Sequence, residues 1–139
     1  MKSNRDKSLE RRVHEAANQV LAQKRFVSPL DILLGAGFAT QKEVNDWRLG
    51  KIPYLERITK GGLGTLSRTM AIFNKWAVQR GLKPSWTDYR GWAGARGIRL
   101  QFSKSGQVNL ERRYSTHYVL RSPESPETPV GLKRSKTDF

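Results

Sequence analysis

Residues 63–79 read LGTLSRTMAIFNKWAVQ; Leu63, Leu66, Met70, Phe73 and Ala77 recur in them every three or four positions, while Arg68, Lys75 and Gln79 fall on the opposite side. Side chains three and four apart share one helix face, so the spacing predicts an amphipathic helix with a single buried stripe. Gly81 follows as its C-cap, where glycine can take the positive φ that ends a helix. A stripe this long needs partners, and the flanking sequence supplies them.

Upstream, Leu9, Val13, Ala16, Ala17, Val20 and Leu21 keep the same period between about residues 4 and 25, with Arg5, Arg12, Glu15 and Gln19 turned away. Ser28, Pro29 and Asp31 make a helix start: a capping hydroxyl, a proline suited to the first turn, and a carboxylate at the positive end of the dipole. Leu30, Leu33 and Leu34 fill its inner face until Gly35 and Gly37 stop it. Thr40 and Glu43 form a capping-box pair, so another helix runs to about Leu49, burying Val44 and Trp47 and ending at Gly50. Pro53 opens a short helical segment with Tyr54, Leu55 and Ile58 inward.

Downstream, Ser85 and Asp88 are candidates to start a short helix carrying Tyr89 and Trp92. The period then changes to two: Ile98, Leu100 and Phe102 alternate with Arg99, Gln101 and Ser103, and Lys104, Ser105 and Gly106 read as a turn, which predicts a small hairpin. Tyr114, Thr116, Tyr118 and Leu120 alternate again as a further strand, although Leu110 to Tyr114 reads equally well as a helical turn. The expected fold is mainly α (α+β), a compact multi-helix domain over residues 1–121 with a small C-terminal β-hairpin. Ser122 to Phe139, with Pro123, Pro126 and Pro129 and no apolar period, is expected to be a disordered tail, and Leu132 to Lys136 in it could touch phosphate or a partner.

The chain of 139 residues holds 26 Lys and Arg against 12 Asp and Glu, a formal +14. Such an excess attracts polyanions, of which nucleic acid is the commonest. Membrane is not expected as a partner: the longest apolar run, Ile32 to Ala39, is short and broken by Gly35 and Gly37. The charged N-terminal stretch has no apolar run behind it, so a secretory leader is not expected and the cytoplasm is. The absence of cysteine excludes disulfides, thiol catalysis and cysteine zinc sites.

The charge is uneven. Residues 28–60 hold five basic and four acidic groups, residues 61–97 six and one. The segment from Pro29 to Leu49 has the outline of a helix-turn-helix, with Gln41, Lys42, Asn45 and Arg48 as candidate base or phosphate contacts, but Glu43 and Asp46 share that helix. The competing surface lies in residues 61–121, where Arg68, Lys75, Arg80, Lys83, Arg90, Arg96, Arg99, Lys104, Arg112 and Arg113, with Arg121, face only Asp88 and Glu111. Aromatic residues are interleaved there, and bases stack on exposed rings. A domain this small needs most of its rings for the core, which leaves Trp86 and Tyr89, next to Pro84 and Ser85, as the candidate stacking platforms. A helix before a basic hairpin resembles a winged helix in outline, with Lys104 at the wing tip. Arg5, Arg11 and Arg12 are additional candidate phosphate contacts.

A second function class uses Trp47, Arg48 and Tyr54 to dock an acidic protein partner, since Trp, Tyr and Arg are common interface anchors. Catalytic chemistry has little to stand on. His14 and His117 are far apart, and Asp31, Glu43, Asp46 and Glu56 form no paired constellation. His117 lies among Arg112, Arg113, Tyr114 and Arg121, a mixture suited to phosphodiesters, but a strand histidine is the favoured reading. Lys60 to Thr65, KGGLGT, can hold an anion at a helix start or act as a hinge, and lacks the order of a P-loop. The expectation is a non-catalytic nucleic-acid-binding protein, for DNA or RNA, with no metal and no cofactor.

Overall fold

Two capping boxes set the first helices in the computed structural model, which describes residues 4–121. Ser28 Oγ accepts from the Asp31 backbone N–H at 3.1 Å and Asp31 returns to the Ser28 N–H at 2.9 Å; Thr40 and Glu43 repeat the exchange at 3.2 and 2.9 Å. They open α2 (Pro29–Gly35) and α3 (Gln41–Arg48), preceded by α1 (Asn4–Gln23) and followed by α4 (Leu63–Gln79) and α5 (Val108–Ser115). Gly50, at φ +80, closes α3, and Gly81, at φ +71, closes α4. Pro53 leads to a single 3-10 turn, Leu55–Arg57, rather than a helix.

The protein is mainly α with one small antiparallel sheet, and the helical stripes meet as the periodicity requires. Leu9, Val13, Ala16 and Ala17 of α1 are buried with Leu66, Met70, Phe73 and Ala77 of α4. Gly35 brings α2 against α1 so closely that a Cβ there would lie 2.7 Å from that of Ala16. Leu63 departs from the stripe: it sits in the first turn of α4 and is 67% exposed.

The sheet joins three distant segments in the order β1 (Phe26–Val27), β3 (Thr116–Val119), β2 (Lys83–Trp86). β3 is the strand expected from the alternation after Tyr114, and the helical reading of Leu110 to Tyr114 also holds, as α5. Pro84 pairs opposite Tyr118 on the edge strand β2, where a missing N–H can face outward. No helix carries Tyr89 and Trp92; that stretch contains the end of β2 and a 3-10 turn, Ala93–Ala95.

The hairpin expected at 98–106 is replaced by other pairings. Leu55 N–H donates to Gln101 O at 3.1 Å and Glu56 N–H to Phe102 O at 2.9 Å. The Glu111 carboxylate accepts from the N–H groups of Phe102 and Ser103 at 2.9 and 2.7 Å, and from Ser103 Oγ at 2.6 Å. These bonds occupy backbone groups a hairpin would use and bury Ser103, while Ile98, whose backbone bonds Gly91 and Ala95, is 58% exposed. With no hairpin there is no wing, and Lys104 stands on an irregular turn. The tail at 122–139, including Leu132 to Lys136, lies outside the described residues.

Phe102 sits at the centre of an aromatic cluster, 4.8 Å from Trp47, 5.2 Å from Tyr89 and 5.3 Å from Tyr114, ring centre to ring centre. It fastens the long connection 87–107 to the helical core.

Candidate nucleic-acid interface

Trp86 ends the edge strand β2 and is 49% exposed. The connection 87–107 returns Arg99 to it, and α5 presents Arg112; their guanidinium carbons lie 5.8 and 6.0 Å from its ring centre. Both are at about the 6 Å limit for a cation over a ring. The three side chains border a cleft of about 290 Å³ that Leu100, Gln101, Gly106, Val108 and Glu111 complete.

The two carboxylates of this basic half do different work. Asp88 binds Arg90 at 2.8 Å and Arg99 at 3.0 Å, so one acid serves two guanidiniums. Glu111 is consumed by the backbone of the 102–103 corner. Glu56 likewise accepts from Lys104 N–H at 3.0 Å and from Tyr114 OH at 3.1 Å. Burial, with Glu56 beside it, raises the Tyr114 hydroxyl well above its ordinary value. Among the described residues, no ion pair engages Arg96, Lys104, Arg112 or Arg113, all of which are exposed.

The other basic candidates are more scattered. Arg68 and Lys75 stand on the outer face of α4, where Arg68 reaches Thr65 Oγ1 at 3.3 Å. Arg80 caps that helix and covers the buried Trp76 ring at 5.1 Å, and Lys83 is exposed on β2. Arg113 reaches Ser67 Oγ at 3.4 Å across to α4. Arg11 and Arg12 are both exposed, Arg12 lying over the Phe38 ring and bonded to Ala36 O; the side chain of Arg5 lies outside the described ones.

Tyr89, the other candidate stacking platform, is half-buried. Its ring packs against Trp47 and Phe102, and burial raises its hydroxyl above the ordinary value. Arg48 covers it at 4.8 Å and holds Trp92 at 5.1 Å on the same guanidinium. Trp92, 45% exposed, is a further ring open to solvent in this half, and nothing in the local sequence set it apart from the core rings.

The helix-turn-helix connection exists as α2, residues 36–40 and α3. On α3, Gln41 Nε2 donates to Asn45 Oδ1 at 3.0 Å and Lys42 pairs with Asp46 at 3.0 Å, so these polar groups satisfy one another. Arg48 points away from them, donating to Arg90 O at 3.2 Å. Trp47, an anchor of the protein-docking reading, is fully buried and donates Nε1–H to Gln101 O at 2.8 Å. Tyr54 is half-buried.

His117 lies in the sheet with Nδ1 3.3 Å from Thr87 Oγ1 and its ring edge-on to Phe26. Burial lowers its proton affinity, Lys24 adds to this, and Asp31 opposes it. Gly62 caps α4 without a side-chain bond, and Gly61 takes φ +83 against the Phe38 ring. Among the described residues, no helix is long and apolar enough to cross a membrane.

The chain matches no family model, no curated protein and no solved structure. What it does must be read from its own side chains.

Proposed function

We propose that the protein binds nucleic acid, DNA or RNA, without catalysis, through phosphate contacts from its basic half and stacking on an exposed ring. The observation that carries this is Trp86, half-exposed between Arg99 and Arg112 on a face whose carboxylates are spent on structure. Among the described residues, Glu111 and Glu56 are turned onto backbone groups, Asp88 pairs with Arg90 and Arg99, and Arg96, Lys104, Arg112 and Arg113 face solvent without an ion pair. An uncompensated row of Arg and Lys is what a phosphate chain requires. Exposed rings among those cations add affinity that is tolerant of sequence.

The test is electrophoretic mobility of the purified chain with nucleic acid at low and physiological salt, with heparin as competitor. Affinity should fall steeply with salt, with a log–log slope of about −0.7 to −0.9 for each phosphate neutralised. Affinity that barely moves with salt would exclude phosphate contact.

Docking of an acidic protein is the second reading, and one observation favours it: the half-buried Arg48 lies against the exposed Trp92 ring, two interface-type side chains side by side. A protein complex weakened by Arg48→Glu and indifferent to Trp86→Ala would favour it over the first.

A further inference from the structure

We infer that the cleft beside Trp86 takes one unpaired base, so that the protein selects single-stranded or looped nucleic acid over duplex. This rests on the nucleic-acid reading above and narrows it to a class of ligand.

The size of the cleft argues for one ring system. At about 290 Å³ it falls at the small end of ligand pockets, about 300 to 1,000 Å³. Its apolar surfaces come from Trp86, Leu100 and Val108, its cations from Arg99 and Arg112. Arg112 touches Trp86 only at the outer limit of attraction, so a base settling on the ring displaces it at small cost, while Arg99 stays held to Asp88 at 3.0 Å at the side of the ring. They remain beside it, placed for the flanking phosphates.

The polar groups of the cleft are asymmetric in a way that suits a base edge. Both oxygens of Glu111 are already engaged by residues 102 and 103. Gln101 Nε2 donates to Ser103 O at 2.6 Å and to Lys104 O at 3.3 Å, which fixes the amide with its nitrogen toward two acceptors. Its Oε1 is left as an acceptor with no donor among the described residues, able to take an exocyclic amino group or a ring N–H. The amide lies against Gly106, where even a Cβ would come within 3.3 Å of Nε2. A base paired within a duplex has its faces covered by neighbours and its edge engaged, so it can use neither the ring nor Oε1.

The experiment measures the full chain against one labelled 12-mer offered as a single strand and as a duplex, in DNA and in RNA, across a salt series. The single strand should bind more tightly than the duplex. Trp86→Ala should weaken single-strand binding by about tenfold or more and leave duplex affinity and the salt slope nearly unchanged, while Trp86→Phe recovers most of the loss. Circular dichroism and thermal melting of each variant establish that it is folded. Equal single-strand and duplex affinity, unmoved by Trp86→Ala but still steep in salt, would overturn the cleft inference and leave nucleic-acid binding standing. Failure to bind any of the four probes in a salt-dependent way would overturn both.

Discussion

At the residue scale, the molecule depends on small groups where no larger one fits. Gly91 is buried, and a Cβ on it would lie 2.4 Å from Ala95 O and 2.7 Å from Ala95 Cβ. Gly91→Ala should therefore cost about 1–3 kcal/mol through overpacking, read as a lowered midpoint in urea unfolding. His117 gives a pH signature. Its folded-state proton affinity is depressed, chiefly by burial, so the neutral form is the one that fits. The associated stability is full above the ordinary histidine value of about 6.5 and is lost as pH falls through the depressed folded value. Urea midpoints at pH 7 and pH 5 should differ by less in His117→Gln than in the parent chain. Neither residue showed its role in the sequence: Gly91 falls within the stretch expected to be a short helix, and His117 reads chiefly as a strand histidine with no sign that its ring packs against Phe26.

Among the elements, the helices were legible and the connection 87–107 was not. Capping pairs and apolar periods are local, so Ser28 with Asp31 and Thr40 with Glu43 announced α2 and α3 and form as read. Thr40→Ala should cost about 1 kcal/mol, measured by thermal melting. The alternation of Ile98, Leu100 and Phe102 holds for Leu100 and Phe102, which are buried, and fails at Ile98, which is exposed. The backbone of Gln101 and Phe102 bonds the 3-10 turn at 55–57 and a carboxylate from α5, while Ile98 and Leu100 bond back to Gly91 and Tyr89, contacts that the alternation does not encode. Phe102→Ala, which empties the centre of the aromatic cluster, should cost about 3–5 kcal/mol, and hydrogen exchange should rise first in residues 87–107 as they lose their fastening.

Across the whole molecule, β3 ties the chain together, because it lies between β1 from the first third and β2 from the middle. A chain ending at residue 115 should lose both ladders at once and melt at a lower temperature with less cooperativity. The same return of the C-terminal segment carries Arg112 to Trp86. A mainly helical protein, its capped helix starts, a stripe on α4 and an excess of positive charge in the second half are written in the order of residues along the chain. These are properties of neighbours along the chain, set by periodicity and composition. Only the tertiary structure decided which aromatic rings are exposed, which cations keep a carboxylate, and that Trp86, Arg99 and Arg112 share one cleft. Burial and juxtaposition depend on residues far apart in sequence, and those meet only when the core has packed.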